Sequence, residues 1–388
     1  MSPAMRIGAT GFGLIAVCYG FARFAFGLFL PEIDGELHLG PSLSGLISGG
    51  SFAGYCIAII ASALLTERFG ARAVAVGAAL VAALGMAGIA LAPTPLFLAI
   101  AVMLAGSSTG LASPPMAAAV AAAVRKSRQD VTNTFINAGT SAGVALSGPI
   151  ALAIAGQWRL AFGAFAAVAL VLAVAAMIAL PDARGDRRAG GFPPIGGTMA
   201  RLIAASFLMG AASTALWSFG GKLVSQQMGL GTAGSSLLWI FIGAGGIAGA
   251  WAGTLVNRFG LDPVHRVFLG LMAASILAVG SGVAGDVVPL VGGAVFGAAY
   301  VMLTGVYLVW GTNALPQRPA TGLMVGFLTI AVGQTAGAPV FGMLLAGQGP
   351  GTAVACFAAV ALLSGVFRSG ASPSVTSNAP MSPITGCR

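Results

Sequence analysis

The sequence predicts an all-α polytopic membrane protein: twelve transmembrane helices in two pseudo-symmetric six-helix bundles. Three observations lead there. Of 388 residues, 57% are hydrophobic and only 7% charged, where a soluble domain carries about 25% charged residues. Apolar runs long enough to span a hydrocarbon core of about 30 Å recur along the whole chain. Finally, a set of landmarks in the first half returns in the second at a nearly constant offset.

The spans fall at 9–31, 43–66, 73–92, 96–124, 132–156 and 159–180, then 200–222, 233–256, 264–284, 287–312, 320–346 and 350–368. Residues 1–181 form the N-terminal bundle and 200–368 the C-terminal one. Between them lies a linker at 182–199, rich in Gly, Pro and charge. The Ser/Pro-rich tail at 369–388 cannot bury a core. The 59 glycines fit such a bundle, because small residues let helices approach closely where lipid gives no hydrophobic drive between them. The apolar stretch at the N-terminus is too long for a signal peptide and contains Arg23.

Orientation follows from the basic residues. Of 18 Lys and Arg, all but Arg23, Arg159 and Lys222 fall on one side of the spans. The excess of positive charge marks the cytoplasmic side, which places both termini in the cytoplasm of a plasma or inner membrane. The net charge of +9 is therefore a topology signal rather than a nucleic-acid surface. Cys18, Cys56 and Cys356 lie in apolar runs and Cys387 in the tail; they read as buried free thiols.

"ALLTERFGAR" after span two returns as "GTLVNRFGLD" after span eight, pairing Arg68-Phe69-Gly70 with Arg258-Phe259-Gly260 at an offset of 190. The same offset pairs Arg128 with Arg318, Gly143 with Gly333 and Pro149 with Pro339. Six spans separate the copies, so the repeat is parallel, about an axis normal to the membrane.

These motifs resemble the major facilitator superfamily over the chain up to Arg368. Its signature loop between helices two and three has the form G-x-L-a-D-R-x-G-R-R/K; Leu65, Arg68, Gly70 and Arg72 match, with Ala63, Glu67 and Ala71 as departures. The second copy keeps Gly253, Leu255, Arg258 and Gly260, with Asn257 for the acid. The resemblance implies that Glu67, Arg68, Gly70, Arg72, Asn257, Arg258 and Gly260 form a cytoplasmic gate that locks the halves when the cavity opens outward. "YGFARF" followed by "LPE" in helix one is similar to a prokaryotic branch of predicted efflux permeases. Gly148-Pro149 in span five matches the centre of an antiporter motif whose flanking glycines are absent; a helix kink is the other reading. The resemblance also implies that helices one, four, seven and ten line the path.

Ionisable groups at depth are few. The nine acids all fall at span ends or in loops, and His38 and His265 are read as loop residues. A proton symporter that relays through a buried mid-membrane acid is thus disfavoured. Arg23 stands alone, about 21 Å into span one at 1.5 Å per residue. An arginine there costs up to about 3 kcal/mol, so it faces an interior path, where its fork of donors suits a carboxylate or phosphate, or it pairs with Glu32 or helix carbonyls or snorkels outward.

Candidate substrate-binding residues, carried over from the resemblance, are Arg23 and Tyr19 on helix one, Ser213, Thr214 and Trp217 on helix seven, and Tyr300, Thr304 and Tyr307 on helix ten. Trp310 reads as an interfacial belt residue. Asn133, Asn137, Thr140 and Ser141 form a polar stripe on helix five that suits interhelical hydrogen bonds. At offset 190 Glu32 matches Lys222, and the two are candidates for an outer gate pair.

The expected function is secondary active transport of a small organic solute by alternating access, with an organic anion indicated by Arg23 and export favoured over import. A multidrug exporter is the alternative, and a non-transporting sensor on the same fold a remote one. No enzyme constellation and no G-x-x-x-x-G-K-[ST] loop occurs, so neither catalysis nor a cofactor is expected. The expected partners are solute and lipid, and the expected state is a monomer.

Overall fold

The computed structural model describes residues 2–183, 196–228, 230–282 and 285–370. Most of the linker and all but the first residues of the tail therefore lie outside the described residues. Ten helices cross as separate rods: α1 (Ala4–Leu28), α2 (Gly40–Phe69), α3 (Ala71–Ala90), α4 (Pro95–Ala123), α5 (Lys126–Ala153), α6 (Trp158–Ala179), α7 (Gly197–Trp217), α8 (Thr232–Phe259), α9 (Leu261–Gly280) and α10 (Val287–Ala314). The last stretch, Pro319–Ser364, is broken at Gly349, whose φ of 79° and ψ of 174° no helix contains. It comprises α11 (319–348) and α12 (350–364).

These two run antiparallel. Gly322 near the start of α11 abuts Gly311, while Gly342 meets Pro41 at the other end of the bundle. After the break, Val354 packs on Gly280 and Gly365 on Leu269, returning the chain to the starting end. The described residues thus hold twelve helical segments that run back and forth through the bundle, the last two from one merged candidate span. The fifteen residues of α12 reach only about 22 Å, less than the 350–368 span expected.

The repeat has a physical basis. Gly70 and Gly260 have almost the same backbone, φ 87° with ψ 159° and φ 86° with ψ 158°. Each ends one helix and begins the next in a region where a side chain is strained, so glycine recurs there. Gly143 and Gly333 likewise serve one purpose in both halves. A Cβ on Gly143 would strike the Ala16 carbonyl, and one on Gly333 the Phe207 carbonyl, so each lets the fifth helix of its half lie against the first.

Several boundaries differ from expectation. α5 starts at Lys126 rather than 132, because its polar first turns are helical though not apolar. Pro149 lies within α5 without ending it. Span seven stops at Trp217, and Lys222 belongs to a separate short helix, Gly220–Met228. His265 is not in a loop: it is a fully buried residue of α9. Asp262, Pro263 and Arg266 around it depress the local hydropathy, yet the helix starts at Leu261, ahead of the expected 264. Cys18 is buried, Cys56 half-buried and Cys356 exposed, so the expectation of buried thiols fails at Cys356.

The halves meet at the end of the bundle opposite the Arg68 and Arg258 turns. There a Cβ on Gly45 or Gly49 of α2 would meet Ala338, Thr335 and Pro339 of α11, and one on Gly148 of α5 would meet Ser236 and Ile240 of α8. The Ser48 and Ser218 hydroxyls also bond at 2.6 Å across the halves. At the basic end, Arg68, Asn257 and Arg258 are exposed and Glu67 half-buried. Arg72 donates to the Leu180 carbonyl at 2.7 Å, within its own half. The motif residues therefore do not lock the halves in this conformation.

Candidate functional site

A change of helix type shapes the site first. Residues Ala16–Phe24 of α1 form a π-helix, a wider coil that is usually limited to one turn and found at functional sites. Gly20 within it lies so close to Gly143 that a Cβ would fall 2.5 Å from its Cα. Tyr19 and Arg23 lie on this wound segment.

Arg23 is only 6% exposed, though it carries a full charge. Its Nη2 donates to Gln334 Oε1 at 2.6 Å, and its Nε is sealed without an acceptor. Four rings surround the guanidinium: Tyr55 at 4.5 Å from centroid, Phe52 at 4.8 Å, Phe24 at 5.2 Å and Tyr19 at 5.8 Å. Each close ring face offers about 0.5–2 kcal/mol to a cation, which offsets part of the cost of burial. Neither of the two described ion pairs involves Arg23. The alternative partner considered for it, Glu32, is engaged elsewhere.

Gln334 joins the halves. Its Nε2 donates to Ser213 Oγ and to Tyr300 Oη, both at 3.2 Å. Trp217 stacks on Phe24 with centroids 4.0 Å apart and meets Tyr300 edge-on at 5.2 Å. Its buried indole Nε1 has no partner among the described residues. Tyr19 bonds Ser113 of α4 at 3.0 Å. Arg23, Tyr19, Ser213, Trp217 and Tyr300 are thus brought together from α1, α7 and α10.

The remaining expected residues are not part of this cluster. Thr214 Oγ1 donates to the Ala211 carbonyl and Thr304 Oγ1 to that of Val301, each satisfied on its own helix. Tyr307 points into the second half, where its hydroxyl meets His265 Nε2 at 2.9 Å, Ser364 Oγ at 3.2 Å and the Ala205 carbonyl at 3.2 Å. Trp310 is 1% exposed and lies edge-on to His265, so it is no belt residue. This network ties α7, α9, α10 and α12 together. Tyr307→Phe is expected to lower stability by about 1–2 kcal/mol and leave flux unchanged, as measured by thermal unfolding in detergent alongside transport.

Sequence reasoning missed Gln334, Phe52 and Tyr55. Gln334 is uncharged and escaped a census of charges, yet it is a fully buried polar residue in an apolar run. That was the available signal.

The polar stripe of α5 divides. Ser141 sits against α8 at Gly246, as interhelical contact requires. Asn137 is exposed and Asn133 half-buried. At about 100° per residue they lie opposite the exposed apolar face of Val131, Leu146 and Pro149. The two asparagines thus lie on the face of α5 away from its exposed apolar stripe.

At the closed end the expected Glu32–Lys222 pair does not form. Lys222 Nζ bonds Asp34 Oδ2 at 2.5 Å, and Glu32 Oε1 accepts from Thr232 Oγ1 at 2.6 Å. Asp34 and Glu32 sit in the short helix Leu30–Leu37, where residues two apart point to nearly opposite faces, so the neighbouring acid is the one in reach of Lys222. Burial works to raise the Asp34 carboxyl, but hydrogen bonds from Lys222 and the Gly40 amide outweigh it and hold the group below its ordinary value.

The family model described as Major Facilitator Superfamily matches residues 12–338. No curated protein matches the chain. Among solved structures, the nucleoside transporter NupG is 14% identical with a TM-score of 0.74, covering 94% of this chain and 98% of its own. The inward-open xylose transporter XylE from E. coli is 14% identical at TM-score 0.76, covering 94% and 95%. A bacterial homologue of the human lysosomal transporter Spinster is 14% identical at 0.75, covering 95% and 96%. At such identities the likeness is one of fold.

Proposed function

Because the chain belongs to the major facilitator superfamily, we propose that it is a secondary carrier that moves a small organic anion by alternating access, with Arg23 as the anion's anchor. The observation that carries this reading is a buried guanidinium whose hydrogen-bond partner among the described residues is a neutral amide and whose Nε has none there. A buried charge without a counter-charge is costly, and a bound carboxylate or phosphate supplies one with matched geometry. Gln334, Ser213 and Tyr300 bring polar groups from the second half to the same point, so both halves grip the solute and rocking them apart exposes it.

We place the basic end in the cytoplasm of a plasma or inner membrane, on the bias of Lys and Arg, and both termini with it. The direction we propose is export, supported by Gly148-Pro149, where Gly148 seats α5 on α8, and by the likeness of "YGFARF" to efflux permeases. The second reading, export of hydrophobic compounds, rests on the ring cluster of Trp217, Phe296, Tyr300 and Phe24.

The test is flux into reconstituted vesicles for a panel of organic anions, neutral solutes and lipophilic dyes, with and without an imposed pH gradient. Anion-selective flux supports the first reading. Dye flux with no anion flux overturns it in favour of the second.

A further inference from the structure

The short helix Leu30–Leu37 carries three acids at the closed end, and their fates differ. Asp34 holds Lys222 and the Gly40 amide, the latter at 2.7 Å. Glu36 accepts from Arg159 at 2.8 and 3.0 Å and from the Trp158 indole at 2.8 Å. Glu32 alone has no cation. Its side-chain partner is the Thr232 hydroxyl, and its Oε2 is buried with no hydrogen bond among the described residues.

The surroundings of Glu32 come from both halves. Thr232 opens α8 in the second half. Gly156, after α5, has a φ of 74°, and a Cβ there would lie 2.7 Å from Thr232 Oγ1 and 3.4 Å from Glu32 Cγ. The charged groups of the neighbouring elements are Lys222 and Arg159, engaged with Asp34 and Glu36 respectively. Neither the end of α5 nor the start of α8 brings a charged side chain among the described residues.

We propose that Glu32 is a proton-binding site in the latch of the closed end, protonated while the halves meet there and ionised when they part. A carboxylate with one sealed, partnerless oxygen is expensive, and the neutral acid much less so. In the ionised form the 2.6 Å contact is the Thr232 hydroxyl donating to Oε1, which offsets only part of that cost. Separation of the halves breaks this contact and exposes the carboxyl to water, where it returns to its ordinary value.

The direction of the effect follows. In the closed form burial raises Glu32 above its ordinary value, against smaller opposing contributions from Thr232 and the backbone. The closed form is therefore favoured at low pH on that side, and the advantage disappears as pH rises through the raised value. Asp34 is shifted the opposite way, so it stays ionised over the same range and does not contribute to the response. The latch sets the balance between two conformations; which solute moves is a separate matter. The proposal rests on the alternating-access reading but not on the identity of the solute, and its test uses no solute.

Spin labels are placed at Leu96 and Met343, exposed positions in opposite halves, in the full chain without its native cysteines and in lipid nanodiscs. Between pH 4.5, the ordinary glutamate value, and pH 8.0 the short-distance population is expected to fall at least about threefold. Glu32→Gln, which mimics the neutral acid, is expected to keep that population high at both values. A pH-insensitive distance in the parent chain, or an undiminished response in Glu32→Gln, overturns the proposal. Thr232→Val removes a donor that lowers the Glu32 value, so its midpoint is expected at higher pH; a midpoint moved to lower pH also overturns it. Should Glu32→Gln not fold, the parent titration and Thr232→Val decide.

Discussion

Arg23→Ala is expected to reduce organic-anion flux by about two orders of magnitude while the protein stays folded. Loss of a charge-assisted hydrogen bond to the solute costs about 1.5–3 kcal/mol, and each 1.4 kcal/mol is tenfold in affinity. Loss of the only cation at depth adds to this. Arg23→Lys retains the charge but not the planar fork, and should recover only a minor part of the flux. Arg23→Met separates function from stability. It removes the cost of burying a charge among Tyr19, Phe24, Phe52 and Tyr55, so its thermal unfolding temperature should equal or exceed that of the parent, while flux falls as in the alanine variant. If Arg23→Met transports the anion normally, Arg23 is a structural residue and the anion reading is wrong.

Gly45→Leu should cut transport of any solute at least about tenfold, by a different route. In the closed form a Cβ at Gly45 would overlap the Ala338 carbonyl and lie 3.1 Å from Pro339 Cα. These are backbone atoms, which cannot turn aside. Overpacking of this kind costs about 1–3 kcal/mol or more, and only in the form where α2 and α11 touch at this end. The carrier is therefore held with that end open, and flux should drop by at least about tenfold. Gly50→Leu is the control on the same helix, because a Cβ there meets nothing within 4 Å. Flux through Gly45→Leu equal to that of Gly50→Leu would show that closure at α2 and α11 is not needed for transport.

The twelve crossings were legible because span length and the placement of Lys and Arg are imposed by the bilayer, residue by residue. The repeat was legible because turns such as Gly70 and Gly260 demand one residue type in both halves. The site was legible only in part. Arg23 stands out in any apolar run, and Ser213, Trp217 and Tyr300 followed from helix roles that the resemblance implies. Gln334 did not follow, since an uncharged side chain on helix eleven meets neither criterion. The π-helix of Ala16–Phe24 leaves no sequence signal, and it alters which residues of α1 face inward. Tyr307 shares a helical face with Tyr300, yet two turns along α10 that face meets His265 and Ser364. Lys222 finds Asp34 rather than Glu32, because a repeat offset sets the height of a residue but not the rotation of the helix opposite.

The brevity of α12 couples this protein to its lipid. Fifteen residues fall short of a hydrocarbon layer of about 30 Å, and thinning the layer beside them is one way to meet the shortfall, alongside snorkelling of flanking residues or oligomerisation, at a cost of fractions of a kcal/mol per Å. Acyl-chain length thus becomes a variable in every flux measurement. Longer chains load a strain onto one flank of the second half that shorter chains relieve, and the two conformations need not carry that strain equally.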